Sequence, residues 1–325
     1  MTAPLELPIG EESHVLGETG AVEGRSLGQI AWRRLKRDKV AIAGLVVLIL
    51  LLLVAIFAPW IVKAFGHPPD MYFRDQIDPN TQVPTGTFGG ISWDHLMGVE
   101  PQNGRDLFSR IVYGSRVSLL IAFLATLLSV VIGVTMGVIA GFVGGWVDGV
   151  ISRLMDIFLA FPLLVFALAL VGVIPDSAFG LSGNNLRILI LVFVIGFFNW
   201  PYIGRIVRGQ TLTLREREFV DAARSLGARR SYILAREILP NLVAPILVYS
   251  TLLIPTNILF EAALSFLGVG VLPPTASWGE MLSRAVDYYS LPYFMLWPGL
   301  AIFVTVLAFN LFGDGLRDAI DPRSR

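Results

Sequence analysis

Apolar residues along this 325-residue chain fall into long unbroken blocks, not into a strict alternation. The first block, residues 40–60, reads VAIAGLVVLILLLLVAIFAPW. Further blocks lie at about 116–141, 149–174, 186–207, 243–266 and 292–313. A helix needs about 20 apolar residues to cross the hydrocarbon core, and a spanning segment must satisfy its own backbone hydrogen bonds. The pattern therefore predicts an all-α polytopic membrane protein with six transmembrane helices. Five stretches organise the chain: a polar tail over 1–30, an N-terminal membrane helix within 31–62, an outer segment over 63–115, a five-helix core over 116–313, and a tail over 314–325. The core is interrupted by one polar loop, 208–242.

The polar breaks give the orientation. WRRLKRDK at 32–39 stands directly before the first block, and positive clusters stay on the cytoplasmic side. With six spans, both termini are then expected in the cytoplasm. Of the 25 Lys and Arg, 18 fall on segments this places inside, which agrees with that assignment. The tail over 1–30 is polar and acidic, and no apolar run begins before Val40, so it does not read as a signal peptide.

Composition narrows the chemistry. Hydrophobic residues make up 54% of the chain and charged residues 15%, well under the roughly 25% of soluble domains. A formal net charge of zero argues against nucleic acid as a partner. There is no cysteine, and His14, His67 and His95 lie too far apart in sequence to form a ligand-spaced pair, so no metal site is expected. Neither H-E-x-x-H nor G-x-S-x-G occurs, and no catalytic residue is expected. The chain also lacks G-x-x-x-x-G-K-[ST]. If ATP drives it, another chain binds the nucleotide.

The loop between the fourth and fifth blocks is the most distinctive segment. Eight arginines stand between Arg205 and Arg236, and each would cost about 2.5–3.5 kcal/mol at mid-membrane. The loop is therefore cytoplasmic. Phe219, Ala222, Ala223 and Leu226 recur at helical spacing, and Gly227 suits the position just past a helix end. A second short helix over about 229–238 then meets Leu239-Pro240, where proline should stop or redirect it. Two readings fit: an amphipathic element lying on lipid headgroups, or a docking element for a shaped protein partner.

DAARSLG, followed after a fixed gap by LP, resembles the EAA coupling loop of ABC importer permeases. Asp221, Ala222, Ala223, Gly227, Leu239 and Pro240 occupy that pattern's positions; Asp221 replaces the usual glutamate, and Glu237 stands where isoleucine is usual. GRDLFSRIVYGSRVSL (104–119), AGFVGGWVD (140–148), EAALSFLGVG (261–270), SWGEML (277–282) and NLFGDGLRDAIDPR (310–323) are similar to segments of dipeptide and oligopeptide permeases, in the same order. MGVEPQNGRD (97–106) departs from the family, which more often has Leu-Gly-Thr-Asp and a shorter gap. The resemblance to the C-type permease implies the type I importer fold, with one N-terminal helix added to a five-helix core. It also implies a second homologous permease, two cytoplasmic ATP-binding subunits carrying ATP and Mg, and an extracytoplasmic substrate-binding protein. The lipid bilayer is expected to surround the chain, and no cofactor bound by the chain itself is expected. Location in the bacterial inner membrane and peptides as cargo follow from the same resemblance, with nickel or another small solute as the alternative.

Other positions carry expectations from the residues themselves. Gly133, Gly137 and Gly141 repeat every four residues, the small-xxx-small pattern of close helix packing. Arg153 and Asp156 stand three apart near Asp148 and read as a structural ion pair. Glu261, an acid toward the outer end of the fifth span, is a candidate pathway or gate residue, or else a carboxyl hydrogen-bonded between helices. Pro162, Pro255 and Pro298 are expected to kink their spans. A secondary transporter working alone would call for paired ionisable groups at mid-membrane, whereas here the polar residues concentrate in one loop.

Overall fold

The structure, a computed structural model, describes residues 32–171 and 177–320. The tail over 1–30 and the last residues, 321–325, lie outside them, as do 172–174 of the third block. Among the described residues, five helices are long and apolar enough to span a membrane, and a bent helix pair makes a sixth if its two halves are one broken span.

Helix α1 (Lys39–Phe65) begins at Asp38, whose Oδ1 accepts from the Val40 and Ala41 amides and so satisfies two of the orphan donors at a helix start. Its buried face is built of small residues, Ala41, Gly44, Ala55 and Ala58, while Leu50, Leu53 and Trp60 are exposed. Ala41 and Gly44 let α1 lie close on α9 (Pro292–Ile320): a Cβ on Gly44 would stand 2.9 Å from the Ala308 carbonyl oxygen, while Ala58 packs in one cluster with Val112.

Helix α2 (Leu107–Val143) starts nine residues before the apolar block that announced it. Asp106 caps it by accepting from the Ser109 amide, and Arg110 and Ser115 are buried in its first turns. Hydropathy misses these turns because they are buried against other charged groups and not against lipid.

The third block is not one straight helix. Helix α3 (Gly145–Ala160) and helix α4 (Leu163–Val171) meet at a bend of 77° across Phe161 and Pro162. Phe161 is extended, with ψ 127°, as the residue before a proline prefers. Pro255 and Pro298, by contrast, sit inside unbroken helices. A two-residue antiparallel ladder, β1 (Ser177–Ala178) with β2 (Leu181–Ser182), leads into α5 (Gly183–Arg215).

Short α6 (Glu218–Ser225) follows α5, and α7 then runs without interruption over Arg230–Phe266. Pro240 therefore does not stop the chain. The helix widens into π-helical turns over Ile233–Ile238 just before it, where Leu239 N–H reaches back to the Leu234 carbonyl. The last short helix, α8 (Trp278–Ala285), is capped by Ser277, whose Oγ accepts from the Glu280 amide at 3.1 Å.

The centre of the bundle is the α2–α5 pair. A Cβ on Gly133 would stand 2.7 Å from the Trp200 carbonyl oxygen, one on Gly137 2.5 Å from that of Gly204, and one on Gly141 2.7 Å from Thr211 Cβ. All three glycines thus lie in a contact within this chain. Polar side chains tie a third helix to the pair. Asn199 of α5 donates to Asn257 Oδ1 of α7 at 2.8 Å, and Asn257 donates to Thr126 Oγ1 of α2 at 2.8 Å. In a setting without water, such bonds fix which helix faces meet.

Candidate functional site

Three places combine polar chemistry with a surface or a buried network. At the α6 end of the bundle, α6 hangs beneath the ends of α2, α5 and α7. Val220 is its one fully buried residue and joins Val207, Ile233, Ile238 and Leu242 in one cluster, with Ala223 packed against it. Phe219, Ala222 and Leu226 are left outward, Leu226 with 89% of its surface exposed. The sequence pattern grouped Ala223 with that outward face and passed over Val220. The structure turns Ala223 inward, since a helix this short must spend one stripe on its own anchorage.

The end of α6 is closed by a paired hydrogen-bond motif. Gly227 N–H donates to the Arg224 carbonyl at 2.9 Å and Ala228 N–H to the Ala223 carbonyl at 3.0 Å, with Gly227 at φ +80°. Ala223 and Ala228 both pack on the cluster beneath. Asp221 is exposed and accepts from Arg224 at 3.0 Å, an ion pair of small worth in water. Leu239 is half-buried in the same cluster, and Pro240 is exposed beside it. Between α6 and the end of α2 lies a cleft of about 510 Å³, lined by Phe142, Arg215, Arg224, Arg230 and Ile233.

Cross-helix ion pairs brace this end. Arg208 of α5 grips Asp148 of α3 through both carboxylate oxygens, its Nη2 to Oδ2 bond measuring 2.8 Å. Arg205 donates to Asp156 at 2.7 Å. The ion pair expected between Arg153 and Asp156 gives way to these α3–α5 pairs.

At the other end, the segment between α1 and α2 folds with α8 around a buried charge network. Glu100 is fully buried and accepts from Arg105 Nε at 2.8 Å and from Arg284 at 3.0 Å. Arg110 Nε stands 2.5 Å from Glu100 Oε1, too oblique for a hydrogen bond, while its Nη2 donates to Glu280 at 2.9 Å. Burial pushes the Glu280 carboxyl above the usual glutamate range; Arg110 pulls it down, and Glu100 adds to the rise. Because the folded-state value is raised, the contribution of Glu280 to stability is full below the unfolded value near 4.5 and is lost as pH climbs through the folded one. The stability of the wild type relative to Glu280→Gln should accordingly fall as pH rises. Unfolding midpoints of both proteins in detergent across a pH series check this, and a gap that stays level or widens would refute it.

Glu261 of α7 is fully buried nearby. Its Oε1 accepts from Ser265 Oγ at 3.0 Å, the hydroxyls of Ser118 and Ser277 face the same carboxyl, and Oε2 has no bond of good geometry. The residue is enclosed between α2, α7 and the start of α8, and it does not line an open cavity in this conformation.

The third place is one the sequence hid. His67 and His95, with Asp94, bring three ligand-type atoms within 4.8 Å of one another in the segment between α1 and α2. Twenty-eight positions of sequence separate the histidines, so only the fold of the loop makes them neighbours.

Comparison with known proteins covers most of the chain. The profile described as binding-protein-dependent transport system inner membrane component matches residues 133–325, and that of the N-terminal TM domain of oligopeptide transport permease C matches 26–84. The glutathione transport system permease protein GsiD of Shigella flexneri serotype 5b (strain 8401) is 42% identical over 293 residues, covering 90% of this chain and 89% of that protein. The dipeptide transport system permease protein DppC of Alkalihalophilus pseudofirmus is 40% identical over 296 residues, covering 91% and 90%. Among solved structures, a chain of the MetNI methionine ABC transporter superposes with a TM-score of 0.52 at 19% identity, over 66% of this chain and 98% of that one. At that identity the likeness concerns the fold alone.

Proposed function

The chain belongs to the binding-protein-dependent transport inner-membrane components, in the peptide branch of ABC importer permeases, and from that premise we propose how it works and what it carries. It is a multi-pass transport component. It forms half of a translocation path for short peptides, the other half coming from a second homologous permease. Two separate cytoplasmic subunits bind ATP and Mg, and an extracytoplasmic binding protein delivers cargo. The N- and C-termini lie in the cytoplasm, on the side of α6, in keeping with the arginines of the 208–242 loop.

The observation that carries this reading is the outward face of α6, clamped at Gly227 and anchored by Val220. A coupling element must be pushed without deforming. Val220 and Ala223 seat α6 on the bundle, and the closed turn at Gly227 sets its angle to α7. Helix α7 has 37 residues, about 55 Å at the α-helical rise, and so exceeds the roughly 30 Å of hydrocarbon. A displacement at its base is thus carried as a rigid movement to the layer of Glu261 and Ser265, where α7 meets α2 and α8. ATP-driven closure of the partner subunits would draw two such α6 elements together and rock the bundles between inward- and outward-open forms. Asp221, Ala222, Ala223, Gly227, Leu239 and Pro240 are the coupling residues of this scheme, and Glu261 is a gate residue closed in the present conformation.

Peptide cargo is supported by the glutathione and dipeptide permeases to which the chain is similar. Proteoliposomes containing the assembled complex should accumulate a labelled dipeptide when binding protein and ATP are both supplied. Charge reversal by Asp221→Arg should weaken co-purification of the ATP-binding subunits. Uptake that follows an ion gradient and ignores ATP would overturn the reading.

A further inference from the structure

We propose that His67, Asp94 and His95 form a binding site for a divalent first-row transition ion, Zn²⁺ being the ion that suits it best. The two Nε2 atoms converge on one carboxylate. His67 Nε2 stands 3.2 Å from Asp94 Oδ1 and 3.0 Å from the Asp94 backbone carbonyl, a contact that a bound ion would replace, and His95 Nε2 stands 3.9 Å from Asp94 Oδ2. His95 is 2% exposed, and its Nε2 has no hydrogen-bond partner. The other ring nitrogen explains why. Nδ1 of His95 is held 3.0 Å from Asp106 Oδ1, an arrangement that orients the ring and leaves the Nε2 lone pair aimed at Asp94, an acceptor.

Behind the three ligands, the supports are already in place. Asp106 is fully buried, and its second oxygen takes both the amide and the hydroxyl of Ser109, at 2.8 and 2.6 Å. Ser109 Oγ in turn accepts from the backbone N–H of His67 at 3.0 Å. One carboxylate thus fixes one histidine directly and the other through Ser109. A carboxylate behind a metal-binding imidazole is the usual outer support of such sites. Phe73 packs edge-on against both rings, with centroids 4.7 Å from each.

The donor set selects the class of ion. Two imidazoles and one carboxylate suit zinc, cobalt or nickel, whereas calcium and magnesium call for oxygen-rich shells. Three protein ligands leave a fourth tetrahedral position for water. Ligand atoms around such an ion stand about 3.4 Å apart at the usual bond lengths, and Asp94, 74% exposed, can turn to reach that spacing. His67 follows Gly66, the residue that closes the end of α1, and Asp106 caps the start of α2. The ion would therefore staple the outer loop across the junction of those helices.

The test uses the full chain in its assembled complex, purified without a histidine tag, stripped with chelator and titrated with Zn²⁺. Two variants assign any bound ion to this chain and not to its partners. Asp94→Ala removes an exposed side chain, and His67→Phe keeps the ring contacts while removing the nitrogen. The expected result is about one Zn²⁺ per wild-type chain, with affinity weakened at least about tenfold in each variant, while both variants assemble normally. Co²⁺ should give the intense visible absorption of a tetrahedral site in the wild type alone. Wild-type protein that retains no Zn²⁺, or equal retention in all three proteins, would overturn the assignment.

Discussion

Replacing Gly227 with valine should reduce transport and the ATP hydrolysis linked to it by roughly tenfold, while the protein still inserts and assembles. The residue sits at φ +80°, where a side chain costs about 1–2 kcal/mol and a β-branched one is a genuine outlier. At about 1.4 kcal/mol per factor of ten, that strain is enough to empty the clamped conformation. Crowding plays no part, because a Cβ there would meet nothing within 4 Å. The strain is relieved by turning φ negative, which breaks the Gly227-to-Arg224 and Ala228-to-Ala223 bonds together and lets α6 swing against α7. Asparagine tolerates the left-handed region better, so Gly227→Asn should keep much of the activity. Activity of the two variants in vesicles, normalised to the amount of assembled complex, makes the comparison. Full activity in the valine variant would show that the angle of α6 does not matter.

The second large effect is one of stability. Glu100→Ala should destabilise the region between α1, α2 and α8 by about 3–5 kcal/mol, the usual consequence of removing one partner from a buried ion network. Glu100 is fully buried and sits against Arg105, Arg110 and Arg284; without it Arg110 and Arg284 keep Glu280, while Arg105 loses the carboxylate it pairs with. The unfolding midpoint in detergent should drop by several degrees, and limited proteolysis should open first between α1 and α2. Removing Arg105 in the same protein should restore part of the loss, since neighbours in one network are not additive. An unchanged midpoint for Glu100→Ala would mean that the network contributes nothing.

The spans were legible because lipid demands long apolar runs whatever surrounds them, and 40–60 is such a run with nothing to confuse it. The start of α2 was not, since Arg110 looks like a loop residue until its partners Glu280 of α8 and Glu100 are known. Pro162 signalled a disturbance in the third block, but the 77° break depends on packing that no local signal carries. At α6, the positions of Ala222 and Gly227 were readable from spacing, yet the inward turn of Val220 depends on α2, α5 and α7 meeting beneath it. Asp148 and Asp156 showed the same limit: their charges suggested near neighbours in sequence, whereas helix packing gave them Arg208 and Arg205. His67 and His95 became a pair only through a loop of irregular geometry.

The absence of cysteine from the chain makes the coupling role directly testable. A single cysteine introduced by Ala222→Cys lies on the exposed face of α6 and can carry a short photo-crosslinker. In the assembled complex it should join to a P-loop-containing ATP-binding subunit, with a yield that changes when ATP is added. An intact, transport-active complex in which that position crosslinks only to lipid would contradict the account, because α6 would then lie on the membrane surface and not in a partner's cleft.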